Sequence, residues 1–185
     1  MLAHFRPATG RTHLVGDGET IGSIASDHDM TVGQIVALNH IHDGVALRPG
    51  EVLVLARGWQ CPVPTGTFSN DFGWVKPSGS VHNGIDIFAP AGSVILAPVT
   101  GHLHQARGPA GGLQFSLRGV DGVTYFGSHM ATFGASGDVA VGEIIGTVGN
   151  SGNAASTSAH LHFEVHPGHG DRAANPYSAL EATCR

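Results

Sequence analysis

Thirteen of the 185 residues are histidine. Histidine is the commonest metal ligand and the side chain that titrates near neutral pH. Its spacing here is informative at three places. In His160-Leu161-His162 the two imidazoles project from one face of a strand, about 6–7 Å apart. Both can ligate one ion, or one can ligate while the other acts on a substrate. In His82-Asn83-Gly84-Ile85-Asp86, Gly84 and the β-branched residues after it disfavour a helix. A turn at Asn83-Gly84 instead aims His82 and the strand residue Asp86 into one cleft. An imidazole and a carboxylate suit zinc, and one histidine from a distant strand would complete three protein ligands. The fourth position then stays open for water, which is the catalytic arrangement. The third place is Tyr125-Phe126-Gly127-Ser128-His129-Met130, where a lone histidine after an aromatic strand reads by itself as structural or solvated. Glu164 shares the face of His160 and His162, where it either orients a ligand imidazole or sits at the surface. His102-Leu103-His104 repeats the spacing without a neighbouring carboxylate or third histidine and reads as a solvated or partly buried strand face.

The rest of the composition narrows the setting. Apolar residues make up 41% and charged residues 12% of the chain, so it is not a disordered acidic or basic tail. The formal charge is −5 and Lys76 is the only lysine, which argues against a nucleic-acid or anionic-membrane surface. No apolar run approaches the ~20 residues of a membrane-spanning helix, and the N-terminus shows no signal-peptide pattern. Cys61 and Cys184 are candidates for a disulfide that would pin the ends of a domain and imply an oxidising compartment.

Two regimes position these residues. Residues 12–56 read strand, helix, helix, strand. A strand at Thr12–Val15 is followed by a Gly-rich turn, and Thr20 caps a short helix with the stripe Ile21, Ile24, Ala25. Thr31 and Gln34 form a capping-box pattern for a second helix, which carries Ile35 and Leu38 and stops near Asn39. Leu47-Arg48-Pro49-Gly50 turns into the strand Glu51–Leu55. Residues 57–62 read as a short linker after an N-terminal tail of 1–11. Residues 63–185 are Gly-rich, with alternating runs at 85–88, 113–117, 123–126 and 160–165, a short buried-strand run at 94–97 and a strand-like stretch between glycines at 144–148. These imply an antiparallel sheet or sandwich with no helix longer than two turns.

The first regime resembles the LysM domain, on Thr20-Ile21-x-x-Ile24-Ala25, Thr31-Val32, Asn39 and Leu47-x-Pro49-Gly50-x-x-Leu53. The resemblance implies a glycan-binding module over 12–56. The second resembles the lysostaphin/LytM-type zinc endopeptidases. It does so on Gly79-x-x-His82-x-Gly84-x-Asp86, Thr124-Tyr125-x-x-x-His129-Met130, Val141-Gly142-x-x-Ile145-Gly146, His160-Leu161-His162-Phe163-Glu164 and Asn175-Pro176. This implies a mainly β zinc metallopeptidase domain over 63–185 with one Zn²⁺ per chain. His82, Asp86 and His162 would be its ligands, and His129 and His160 its catalytic residues. Together the two imply a peptidoglycan endopeptidase, held on the glycan strand by its first module and extracellular or wall-associated. The alternative is a non-catalytic wall-binding activator of another hydrolase, in which ligand positions would be missing.

Overall fold

The computed structural model describes residues 12–28, 30, 32–39, 41, 46–55, 59–76 and 79–184. The N-terminal unit is a two-stranded antiparallel sheet, β1 (Thr12–Leu14) and β2 (Val52–Val54), with α1 (Ile21–Asp27) and α2 (Val32–Asn39) between them. The α1 cap is reciprocal. Thr20 Oγ1 accepts from the Ser23 amide at 3.1 Å, and Ser23 Oγ accepts from the Thr20 amide at 2.9 Å. The capping box expected at Thr31 lies outside the described residues. Buried Asn39 ties α2 to β2 through its amide, donating to Val54 O at 2.9 Å and accepting from Val54 N at 2.7 Å.

The remaining strands build one antiparallel sheet in the order β3 (Ile85–Phe88), β10 (His160–Pro167), β7 (Val123–Phe133), β6 (Gly112–Gly119), β5 (Gly101–Gly108), β8 (Gly137–Val139). Strand β9 (Ile144–Val148) pairs with β7 and with β4 (Val94–Leu96). The expected alternation holds where it matters for the site. Ile85 and Ile87 on β3 and Leu161, Phe163 and Val165 on β10 enter the core, with Tyr125 and Phe115 beside them. Their odd-numbered positions leave Asp86, His160, His162 and Glu164 on the other face. A feature absent from the sequence reading is α3 (Tyr177–Cys184), just over two turns long. The Asn175 carboxamide oxygen accepts from the Tyr177 amide at 3.0 Å, and Pro176 stands at the first turn. Ala179 and Leu180 are buried, and Cys184 is disulfide-bonded to Cys61.

The two units share structure rather than only a connector. β2 has two apolar faces. Leu53 and Leu55 pack with Val15, Ile24, Ala25 and Ile35, whereas Val52 and Val54 belong to the large core with Trp59, Ala179 and Leu180. Val52 N donates to Asn175 O at 3.1 Å and Asn175 N to Gly50 O at 3.0 Å. Inside the large core, Trp59 Nε1–H donates to the Tyr125 hydroxyl at 3.0 Å, which donates to Asp121 Oδ2 at 2.6 Å. Tyr125→Phe breaks both bonds and leaves a buried indole N–H unpaired. A loss of about 1–3 kcal/mol in unfolding free energy, read by denaturant titration, is expected.

Candidate metal centre

The site begins with strand register. On the β3–β10 ladder Asp86 lies directly opposite His162, and His160 opposite Phe88, so the carboxylate and imidazole are nearest cross-strand neighbours. His82 arrives from the turn before β3. Its amide donates to Trp74 O at 2.9 Å and its carbonyl accepts from Gly73 N at 2.8 Å, which closes a small hairpin. Gly84 lets that hairpin lie against β10. A Cβ there would fall 2.5 Å from Phe163 O and 2.8 Å from His162 Cε1.

Three atoms converge as a result. His82 Nε2 lies 3.0 Å from Asp86 Oδ1 and 2.9 Å from His162 Nδ1, and the last two are 2.9 Å apart. His82 and His162 are buried. Each imidazole spends its outer nitrogen on an acceptor. His82 Nδ1–H donates to the Asp71 carbonyl at 3.1 Å, and His162 Nε2–H to Glu164 Oε1 at 2.9 Å. The inner nitrogens therefore face a carboxylate oxygen, an arrangement that a positive charge shared among the three atoms, a proton or a metal ion, satisfies. The same demand appears in the proton affinities. Burial would lower the His162 pKa, but its hydrogen bonds to Asp86 and Glu164 push it up to about 9. Burial would raise Asp86, but hydrogen bonds from His162 and His82 hold it far below the usual carboxylate range. A tetrahedral zinc with ligands at about 2.0–2.1 Å separates them by about 3.3–3.4 Å. The observed triangle needs only a few tenths of an ångström of opening, so the donor set fits such an ion.

His129 and His160 flank the triad. Their ring centroids are 5.0 Å apart, and that of His129 is 6.2 Å from that of His162. His160 Nε2 lies 3.9 Å from Asp86 Oδ2. Both rings are keyed by the loop between β9 and β10. His129 Nδ1–H donates to Ser151 O at 2.9 Å and His160 Nδ1–H to Ser158 O at 2.8 Å. That leaves Nε2 of each as the bare, site-facing nitrogen. Burial lowers the His129 pKa, which favours its neutral form. His129 is also strained: its φ is +68°, at an interruption of the ladder that β7 makes with β6, between Gly127 and Met130. The Gly/Ser/Asn loop 149–158 is tightly bonded. Ser151 Oγ–H donates to Met130 O at 2.7 Å and accepts from Leu113 N at 2.9 Å.

Glu164 joins two histidines, accepting from His162 and, at 2.7 Å, from His166 Nε2. Burial would raise its pKa, and these two bonds bring it down to about 2. Asp71, Ser151, Ser158 and His166 were absent from the sequence-based candidates. The first three act through backbone carbonyls, which carry no side-chain signature, and His166 continues the even-numbered face of β10. His102 and His104 are exposed and far from this cluster in the sheet order, with His102 paired to Asp138.

Comparison with known proteins decides the family. Residues 80–176, more than half of the chain, match Peptidase family M23, and residues 13–56 match the LysM domain. The chain belongs to peptidase family M23. This M23 chain is 33% identical over 123 residues to the DD-carboxypeptidase/endopeptidase Mpg of Neisseria meningitidis serogroup B, an alignment that covers 63% of this chain and 28% of that protein. It thus spans under a third of the length of the curated relatives it matches. Among solved structures, the catalytic domain of lysostaphin from Staphylococcus simulans superposes with a TM-score of 0.57 at 25% identity, covering 63% of this chain and 92% of that domain. A variant of the catalytic domain of the prophage-encoded M23 protein EnpA from Enterococcus faecalis does so with 0.52 at 28%, covering 60% and 89%.

Two substitutions test how this M23 centre is held. Gly84→Ala drives a methyl group into the His162 ring and the β10 backbone, and metal affinity measured against a chromophoric chelator should fall at least tenfold. Glu164→Ala frees the outer nitrogen of His162 and leaves all three triad side chains in place. The same assay should show a loss of about 10–100-fold.

Proposed function

We propose that this chain is a zinc-dependent peptidoglycan endopeptidase. Its metal would be held by His82, Asp86 and His162, and its reaction served by His129 and His160. The single observation that carries this reading is the convergence of two imidazole lone pairs and one carboxylate oxygen within 2.9–3.0 Å of one another, flanked by two further imidazoles. When bound there, zinc would bring the pKa of a coordinated water to near 7 and polarise a substrate carbonyl.

The chain's own groups supply the rest. Because Ser151 O and Ser158 O hold the outer N–H of His129 and His160, each ring offers a basic Nε2 to the groove. One accepts the proton of the attacking water and returns it to the leaving amine. The other, entering the reaction as imidazolium with a proton taken from bulk solvent, donates a hydrogen bond to the oxygen on which charge develops. Glu164 keeps His162 in the tautomer that ligates.

Residues 12–56 would act as the glycan-binding module and 63–185 as the peptidase, joined through 57–62. The LysM match over 13–56 and the two apolar cores, which share only β2, support that division. Holding a polymer by its glycan raises the local concentration of the peptides attached to it. The Cys61–Cys184 disulfide fits an extracellular or wall-associated setting. The complete set of ligands and flanking histidines weighs against a non-catalytic activator.

Digestion of purified sacculi with identification of the released termini tests the reading. Chelation should abolish release and added zinc restore it. His82→Ala and Asp86→Ala should lose both bound metal and hydrolysis. His160→Ala should keep the metal and lose about 10²–10⁴ in rate. If His160→Ala strips the metal while His162→Ala retains it, the ligand assignment is reversed.

A further inference from the structure

Three alternate residues on one face of β10, His162, Glu164 and His166, form a chain of which the mechanism uses only the first link. Glu164 Oε1 accepts from His162 Nε2–H at 2.9 Å, and its other oxygen, Oε2, lies 2.7 Å from His166 Nε2. Residues two apart in a strand share a face, so a glutamate between two histidines can meet both at once. The double grip has a mechanical effect. A carboxylate held by one oxygen turns about its last torsion, which has no sharp preferred angle. Held by both oxygens from opposite sides, it keeps one orientation. The side chains of Glu164 and His166 are only 17% and 16% exposed, so water competes weakly for either.

His166 is itself anchored. The Glu164 carboxylate pushes its pKa up against the opposing effect of burial, and bonds to the backbone of Gly170 and Asp171 add to the rise. Acceptors on both sides of the ring suit an imidazolium, which donates from both nitrogens, and 2.7 Å is the length of a charge-assisted bond. That backbone reaches the ring because the chain reverses directly after β10. Gly170 N donates to Pro167 O at 3.1 Å, with Gly168 and His169 left-handed at φ +63° and +55°. Such a backbone is uncommon for histidine, and here it is tied down. His169 Nδ1 lies 2.9 Å from Thr124 Oγ1, and Thr124 is the residue opposite His166 on β7.

We propose that His166 is a positioning residue for the metal centre: it holds the Glu164 carboxylate by its second oxygen and so keeps the first on the outer nitrogen of His162. The inference rests on His162 being a metal ligand, as the zinc reading has it. His166 touches neither the triad nor the groove between His129 and His160. It acts through Glu164 alone, and the turn at 167–171 acts through His166. The orientation of a ligand imidazole is thereby set from a turn at the far end of the same strand.

The probe is Zn²⁺, titrated into the full chain against a chromophoric chelator. His166→Ala should weaken zinc binding about fivefold, the size of one hydrogen bond. Added to Glu164→Ala, the same substitution should change affinity by less than about twofold, because its only route to the metal is gone. Of His166→Arg and His166→Lys, which keep a cation and a donor, at least one should return affinity to within about twofold of wild type. A second readout needs no metal. The His162 Nε2–H proton, followed by NMR in the metal-free chain, should exchange with water about fivefold faster in His166→Ala. An equal loss of affinity in both backgrounds, no loss in either, tighter binding in His166→Ala, or a loss that neither cation restores would overturn the assignment. If the wild-type chain takes up no zinc, the metal reading fails and the exchange rate alone decides the role of His166. Neither readout uses substrate. A chain that behaves as expected here and releases no peptide from sacculi keeps the His166 role and loses the hydrolase reading.

Discussion

Two nitrogen lone pairs and a carboxylate oxygen pointed at one spot repel one another unless a positive charge lies between them. The centre of this protein is built around that enforced repulsion. His82, Asp86 and His162 reach it from a hairpin and two paired strands, and neither burial nor strand pairing lets them turn away. The alternation of β3 and β10 sends the apolar residues into the core and leaves only the polar face for Asp86 and His162. The register then sets those two opposite each other. Gly84, with no side chain, permits the last approach of the hairpin.

Around the triad the organising device is the spent nitrogen. All four site histidines give one ring N–H to an acceptor: the carbonyls of Asp71, Ser151 and Ser158, and the carboxylate of Glu164. Each bond fixes a tautomer and aims the remaining nitrogen. Three of these acceptors are backbone atoms, whose positions are set by the fold and not by side-chain freedom. The loop from Gly149 to Ser158 thus does the work of two side-chain partners. The left-handed conformation of His129 marks where β7 departs from regular pairing with β6.

Much of this was legible in the sequence, for identifiable reasons. Period-two alternation in Ile85-Asp86-Ile87 and in Leu161-His162-Phe163-Glu164-Val165 encodes which side of each strand faces the core, and so which residues share the site. The order of the short motif blocks placed His129 among them, which its own neighbourhood did not. Three things were not legible. The register that sets Asp86 against His162 depends on residues 76 positions apart. The carbonyl acceptors have no residue-type signal. The helix at Tyr177–Cys184 is too short for periodicity to announce, and only Asn175-Pro176 hints at its start. The double-sided role of β2 was hidden for a different reason. Val52-Leu53-Val54-Leu55 is apolar at every position, a pattern that says both faces are covered without saying by what.

That covering has a practical corollary. Val52 and Val54 lie against Ala179 and Leu180, and Trp59 closes the same seam. A recombinant fragment begun at Val63 would bare this greasy seam to solvent and strip Cys184 of its covalent mate. Such a fragment would tend to self-associate and to form stray intermolecular bridges, even with its catalytic groove intact.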